Sequence, residues 1–508
     1  MGLSIVYSRA SVGVEAPLVT VEVHISNGMP GFALVGLPET TVKESRDRVR
    51  SAIVNSRFEF PAKRITVNLA PADLPKEGGR FDLPIALGIL AASHQIPQEG
   101  ILQHEFIGEL ALSGELRCVK GVLPAALSAS ACRRKIVVPE DNAGQAALAD
   151  KNAHKSASSL IDVVADLMGQ QTLGLAVPPP SAVKVPHTRD MQDIIGQQQG
   201  KRALEIAAAG NHNLLFLGPP GTGKTMLASR LCDLLPEMTQ QEAMETASVA
   251  SLTQKEINEH NWKRRPFRAP HHSSSMAALV GGGSIPRPGE ISLAHNGLLF
   301  LDEMPEFERK VLDSLREPLE SGEIIISRAQ GKTRFPARFQ LVGALNPSPT
   351  GYYEGNQTRV NPQAILRYLG RLSGPLLDRF DMSIEIPALP KGTLSQGGDR
   401  GESTSVIKER VLRARETMLV KRGKANALLG TREIETYCPL RKEDAEFLET
   451  ALHRLGLSVR AYHRIIKVAR TIADLSNKEA IERVHLAEAL GYRAMDRLLR
   501  QLTAQGVP

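Results

Sequence analysis

Near the start of the chain, apolar and polar residues alternate. Val19, Val21, Val23 and Ile25 alternate with Thr20, Glu22 and His24, which predicts a half-buried strand. A helix is predicted next, with Thr41 and Glu44 at capping-box spacing. ITVNLA at 65–70 reads as a second strand and LPIALGILAAS at 83–93 as a buried helix. Further on, NLLFLG at 213–218 and GLLFLDE at 297–303 are short apolar runs bounded by glycine and charge. That is the pattern of strands buried on both faces of a parallel sheet. From 405 onward the period is helical. Leu448, Ala451, Leu452 and Leu455 share one face, and HLAEALGYRAMDRLL at 485–499 reads as one amphipathic stretch.

These patterns divide the chain. The 508 residues suggest about three domains. An α/β domain fills 1–175, and a Pro-rich linker follows at 176–190, AVPPPSAVKVPHTRD. A second α/β domain with a parallel sheet is expected over 191–390. A soft stretch at 391–404 leads to a helical region over 405–508. Hydrophobic content of 42% and charged content of 23% suit buried cores. The run at 83–93 is too short to span a bilayer, so no membrane partner is expected. The first residues lack a basic segment leading into a long apolar one, and Val6 breaks a myristoylation pattern. Cysteines at 118, 132, 232 and 438 are too scattered for a disulfide framework, which suits a reducing cytoplasm. Residues 401–508 hold 20 Lys and Arg against 14 Asp and Glu, nearly all of the net +7. Such a balance suits a phosphate polyanion, or simply a solvated helical surface.

The chemistry lies in the second domain. GPPGTGKT at 218–225 matches G-x-x-x-x-G-K-[ST] and sits between an apolar strand and a helical stretch, the context this motif requires. Gly218, Pro219, Pro220, Gly221, Thr222 and Gly223 form the loop whose N–H groups cradle phosphates, beside a helix N-terminus. Lys224 then reaches the β- and γ-phosphates of ATP, and Thr225 binds Mg²⁺. LLFLDE at 298–303 delivers Asp302 to the Mg²⁺ and Glu303 to the attacking water.

With these motifs in place, a resemblance emerges. GALNP at 343–347, LLDRFD at 376–381 and LSVRAYHRIIKVARTIADL at 457–475 resemble the sensor-1, arginine-finger and sensor-2 segments of AAA+ ATPases. Their order is similar to that of the magnesium-chelatase-like branch. RPFRAPHHSSS at 265–275, REPLESGEIIISR at 316–328 and IGQQQGKRALEIAAAGNHNLLFLGPPGTGKT narrow the resemblance to the ComM/YifB family, over the full chain. The resemblance implies Asn346 as sensor 1, Arg379 as a finger reaching a neighbouring subunit's nucleotide, and Arg460 as sensor 2 on the helical lid. The alternatives are an ion pair of Arg379 with Asp378 or Asp381, and a surface arginine at 460. A finger acting in trans implies a homo-oligomeric ring, a hexamer in this family. The implied activity is ATP-driven movement on single-stranded or branched DNA, with branch migration during natural transformation. A chelatase-type motor acting on a protein partner is the alternative.

Two segments are candidates for gripping DNA. In 261–290, Trp262 and Phe267 interleave with Lys263, Arg264, Arg265 and Arg268. In 322–339, a β-hairpin is expected to carry Arg328, Lys332 and Arg334 near its turn. Either segment could instead pack subunit against subunit. The adjacent His271 and His272 lack further ligands at metal spacing and are expected to serve structure or an interface. Many family members carry four cysteines where this chain has Ser348, Thr350, Thr358 and Val360, so no zinc is expected. Finally, PKEGGRFDLPIALGIL at 75–90 and FIGELALSGELRCVKGVLPAAL at 106–127 resemble the Lon protease domain, whose fold is shared with ribosomal protein S5. Arg80 stands at the nucleophile position and Leu123 at the lysine position, so the dyad is missing.

Overall fold

The computed structural model describes residues 2–36, 44–177, 189–253, 262–283, 286–328, 331–348, 361–390, 392–393 and 400–506. The first of its two main sheets has seven strands. Their order is Gly31–Val35, Arg64–Ala70, Leu18–Ser26, Gly2–Arg9, His104–Phe106, Lys135–Pro139, Lys155–Ala157. The Leu18–Ser26 strand runs antiparallel to both its neighbours, while the other pairs are parallel. Helix Asp82–Ala92 lies on this sheet with every residue buried, as its unbroken apolar run requires. The helix expected after residue 41 spans Ser45–Asn55. Glu44 makes no side-chain cap there, and Thr41 lies outside the described residues.

The second sheet has five strands, all parallel, in the order Phe267–Arg268, Leu298–Leu301, Gln340–Leu345, Leu214–Leu217, Met382–Glu385. The two LLFL runs are fully buried near its centre, which is why they carry no alternating pattern. Parallel strands send all their C-terminal ends to one edge, where open α/β sheets bind ligands. Here that edge collects the 218–223 loop, Asp302 and Asn346.

The C-terminal region is helical, from Thr404–Arg422 through Val459–Leu475 to Ala494–Gly506. The stretch at 485–499 is not one helix. It breaks between Arg483–Gly491 and Ala494–Gly506, where Ser383 N–H donates to Tyr492 O at 2.8 Å. The backbone there adds to the last strand of the sheet, and that bond replaces a helical one. The linker expected at 176–190 falls mostly in 178–188, outside the described residues. Within the second soft stretch, Arg400 O accepts from Lys201 Nζ at 2.6 Å and Gly401 O from Gln192 Nε2 at 3.2 Å.

Among the described residues, the two α/β parts touch at the Gly121 and Gly13 loops. Gly121 N–H donates to Ser251 O at 3.0 Å. Gly13, at φ +59°, lies so close to the hairpin that a Cβ there would sit 2.7 Å from Thr333 Cγ2.

Candidate nucleotide site

The phosphate loop leaves its strand through Gly218, whose N–H donates to Leu345 O at 3.2 Å. A Cβ at 218 would lie 2.2 Å from Ile386 O, so only glycine fits between the neighbouring strands. Gly223, at φ +90°, turns the chain into helix Lys224–Leu234. Lys224 is 7% exposed. Its ammonium donates to Gly218 O at 2.6 Å, Pro219 O at 2.8 Å and Asn346 Oδ1 at 3.1 Å. Burial holds its pKa below the usual lysine range, and the charges of Asp302 and Glu303 oppose that shift. Thr225 Oγ1 donates to Asp302 Oδ2 at 2.6 Å. The other Asp302 oxygen accepts from Glu303 N–H at 3.0 Å. Glu303 sits in the left-handed region at φ +50°.

Lys224, Thr225, Asp302, Glu303 and Asn346 therefore meet at one edge of the sheet, from three adjacent strand ends. A hydroxyl and a carboxylate side by side are hard oxygen donors of the kind Mg²⁺ takes. A buried ammonium at a helix N-terminus suits phosphate oxygens.

The other two arginines gather elsewhere. Arg379 follows helix Gly374–Leu377 and pairs with Glu320, not with Asp378 or Asp381. Its Nε finds no acceptor among the described residues. Burial, then the like charges of Arg464, Arg460 and Arg316, lower its pKa. Arg460 is 71% exposed at the start of helix Val459–Leu475, with Nη1 3.4 Å from Asp378 Oδ2. Arg464 Nη2 reaches the other Asp378 oxygen at 3.5 Å. Arg379 and Arg460 are thus neighbours of one another. The charges around Lys224 are instead Asp302 and Glu303.

The DNA candidates divide. Arg265 is committed to the chain: it bonds Pro236 O, Asn296 O and Glu242, the last at 3.1 Å. Arg268 makes a two-pronged pair with Glu290 at 2.5 Å. Phe267 stacks on Phe300, with ring centroids 6.1 Å apart, and so belongs to the core. These three were candidates to face a polymer or a neighbouring subunit; each is held here by partners within the chain. Arg264 is exposed, with Asp233 3.9 Å away, and Lys263 is half-buried at φ +63°. The hairpin forms as expected, Glu323–Arg328 against Gly331–Pro336. Its inner face is Ile324, Ile326, Thr333 and Phe335. Ile325, Ser327, Lys332 and Arg334 are exposed. The Arg328 side chain lies outside the described residues.

Sequence reasoning missed Gln197 and Glu320, and it gave His272 a structural or interface role without placing it beside Glu303. Gln197 Nε2 donates to Thr222 O at 3.3 Å and Pro387 O at 2.8 Å, bracing the phosphate loop. Glu320 holds Arg379. His272 Nδ1 lies 3.3 Å from Glu303 Oε2. Only Gln197 had a signal, its place in IGQQQG ahead of the loop. In the N-terminal part, Arg80 and Leu123 are both buried. Arg80 donates to Lys120 O at 3.0 Å, and burial pulls its pKa down to about 10. Ser348, at the first of the four cysteine positions, is buried; the other three lie outside the described residues.

The chain matches three family models: magnesium chelatase subunit ChlI at residues 190–394, subunit ChlI of Mg-chelatase at 21–142, and the ChlI C-terminal model at 401–493. Competence protein ComM of Haemophilus influenzae is 66% identical over 507 residues, covering 99% of this chain and all of that protein. The uncharacterized protein YifB of Escherichia coli is 57% identical over 99% of both chains. The magnesium-chelatase 38 kDa subunit of Cereibacter sphaeroides is 29% identical over 38% of this chain and 57% of its own length.

Proposed function

Since this chain belongs to the ComM/YifB family of magnesium-chelatase-like AAA+ ATPases, we propose that it is a ring-forming ATPase that moves along DNA and drives branch migration during recombination of incoming strands. The observation that carries the ATPase part is the meeting of Lys224, Thr225, Asp302, Glu303 and Asn346. The competence label of the Haemophilus relative supports the DNA part.

In this reading the loop N–H groups and Lys224 hold the triphosphate. Thr225 and Asp302 would hold Mg²⁺, which would supply positive charge to offset that of the phosphates. Glu303 accepts a proton from water as its oxygen bonds the γ-phosphorus and ADP leaves. Asn346 orients that water. Arg379, with Arg460 beside it, reaches the nucleotide of a neighbouring subunit and stabilises the transferring phosphoryl group. The polymer is met by Lys263, Arg264, Lys332 and Arg334, which contact phosphates without reading sequence. No zinc site is part of this reading, because Ser348 replaces one ligand of the cysteine set; stoichiometric zinc in purified protein overturns that.

The test mixes purified protein with forked or three-stranded labelled DNA, with and without ATP and Mg²⁺. Displacement that needs both, and is lost in Lys224→Ala while binding persists, is the expected result. ATPase activity with no DNA binding at low salt overturns the DNA reading and favours a chelatase-type motor acting on a protein. No helix among the described residues is long and apolar enough to cross a membrane.

A further inference from the structure

We propose that the N-terminal α/β part carries a DNA-binding surface of its own, formed by Arg46, Arg50, Arg57, Lys63 and Arg64. It holds the phosphate backbone apart from the segments assigned to the ATPase part. The inference deepens the DNA reading above and rests on it.

Charge is unevenly spread in this part of the chain. Residues 1–175 hold 17 Lys and Arg against 18 Asp and Glu, yet 45–64 alone hold 6 against 2. The remainder is therefore acidic. The positive charge is confined to one helix and the chain that leads from it into the next strand. A basic stripe on an acidic background is the electrostatic mark of a face that meets a polyanion.

The fold turns that stretch outward. Helix Ser45–Asn55 buries Ser45, Val49, Ala52 and Ile53. Arg46 and Arg50, one turn apart, share a flank of the helix and are exposed. Arg57 is exposed just past the helix end, at φ +64°. The chain then returns through Phe58 and Phe60, both packed against the core, to exposed Lys63 and Arg64 at the start of strand Arg64–Ala70. Two contacts tie the pieces together. The Arg50 guanidinium lies over the Phe60 ring, 5.7 Å from its centroid. Gly31 N–H donates to Lys63 O at 3.4 Å, which brings the loop bearing exposed Met29 alongside.

These cations are not spent within the chain. Arg48, on the same helix, is bound by Asp82 at 2.7 Å. Among the described residues, Arg46 pairs only with its neighbour Asp47, both side chains being more than half exposed. An ion pair of that kind contributes little. Arg50, Arg57, Lys63 and Arg64 have no ion pair among the described residues. Exposed like charges repel, so folding alone gives no reason to gather them, whereas phosphates do. Phe60 also fixes the Arg50 guanidinium before any ligand arrives, so less side-chain freedom is lost on binding. Such a surface positions a backbone and reads no sequence. With the ATPase part gripping the same DNA, each site raises the effective concentration of DNA at the other.

The experiment titrates labelled forked DNA with the full chain by fluorescence anisotropy, for wild type, Arg46→Ala/Arg50→Ala and Lys63→Ala/Arg64→Ala. Each double variant should lower the slope of log K against log salt by about two units. Between about 50 and 200 mM salt, wild-type affinity should then fall about tenfold more than that of either variant. Exposed substitutions of this kind should leave Tm within about 2 °C of wild type. Lys63→Ala/Arg64→Ala keeps the Phe60 contact and decides the matter if Arg50 proves to support the fold. Combined with Lys332→Ala/Arg334→Ala, the losses of slope should add, because the two surfaces meet different phosphates. An unchanged slope in the folded double variants overturns the proposal. If the slope is unchanged and wild type binds phosphatidylglycerol vesicles that both variants fail to bind, the patch belongs to a lipid surface instead. Failure of the underlying reading looks different: wild type itself would not bind DNA at low salt, and the proposal falls with it.

Discussion

Asp474 should be the most costly single carboxylate to remove from the helical region. It is 4% exposed on helix Val459–Leu475, the helix that also carries Arg460 and Arg464. Its oxygens accept from Arg422 Nη2 at 2.7 and 2.8 Å, from Arg422 Nη1 at 3.2 Å, from Arg470 Nε at 3.1 Å and from Asn426 Nδ2 at 2.9 Å. Both arginines are themselves under 10% exposed. Asp474→Ala leaves two guanidinium groups buried with no counter-charge. Removing one partner of a buried ion pair costs about 3–5 kcal/mol. In a unit of this size each kcal/mol lowers Tm by about 2–4 °C, so a fall of at least ~6 °C is expected. Asp474→Asn keeps an acceptor but loses the charge and should fall between. Thermal melting of the full chain measures the fall. Limited proteolysis should then cut first within 405–508, because Arg422 and Asp474 join two helices of that region. A Tm within about 1 °C of wild type would refute the reasoning, since it means water or another group satisfies both arginines.

Three further outcomes are expected. Arg379→Ala should lower ATP turnover by about 10³-fold or more, the usual worth of a finger, while binding of a fluorescent ATP analogue stays near wild type; full-speed turnover removes the finger role. Gly13→Val should weaken binding of labelled single-stranded DNA while basal ATPase is unchanged. A branched side chain at φ +59° is strained, and its Cβ would press on Thr333 and on Arg334 O, displacing the hairpin; unchanged affinity separates the hairpin from DNA. Lys332→Ala and Arg334→Ala should each lower the slope of log K against log salt by about one unit. An unchanged slope in a binding titration assigns both residues to something other than phosphate.

What could be read from the sequence was local. The two LLFL strands, the glycine loop and the DE at the second strand end are short contiguous patterns, and each formed where expected. Lys332 and Arg334 were expected near the turn of a hairpin, and they lie on its second strand with exposed side chains. What could not be read was pairing at a distance. Arg265 and Arg268 look free in sequence, but Glu242 and Glu290 lie 23 and 22 residues away along the chain. Phe267 looks like a stacking platform until the sheet places Phe300 under it. The break at Tyr492 leaves no trace in an amphipathic pattern that continues on both sides. It comes from a strand edge, Met382–Glu385, more than 100 residues earlier.

The resting pairs suggest how the proposed ring is timed. Two cations that the proposed reading assigns to phosphate already have substitutes within the chain: Lys224 is held by Gly218 O, Pro219 O and Asn346, and Arg379 by Glu320. These substitutes are unequal. Carbonyl and amide oxygens carry no net charge, so a triphosphate displaces them at little electrostatic cost. Glu320 is a full charge, 63% exposed, and it competes with the phosphoryl group for the same guanidinium. Solvent weakens an exposed pair of this kind, whereas a phosphate closed between two subunits is shielded from water and attracts more strongly. In the proposed ring, nucleotide binding would therefore need only one subunit, while finger release would need a neighbour already loaded. Glu320→Gln removes the competitor. It should raise turnover most at low protein concentration, where rings are scarce, and least where assembly is complete.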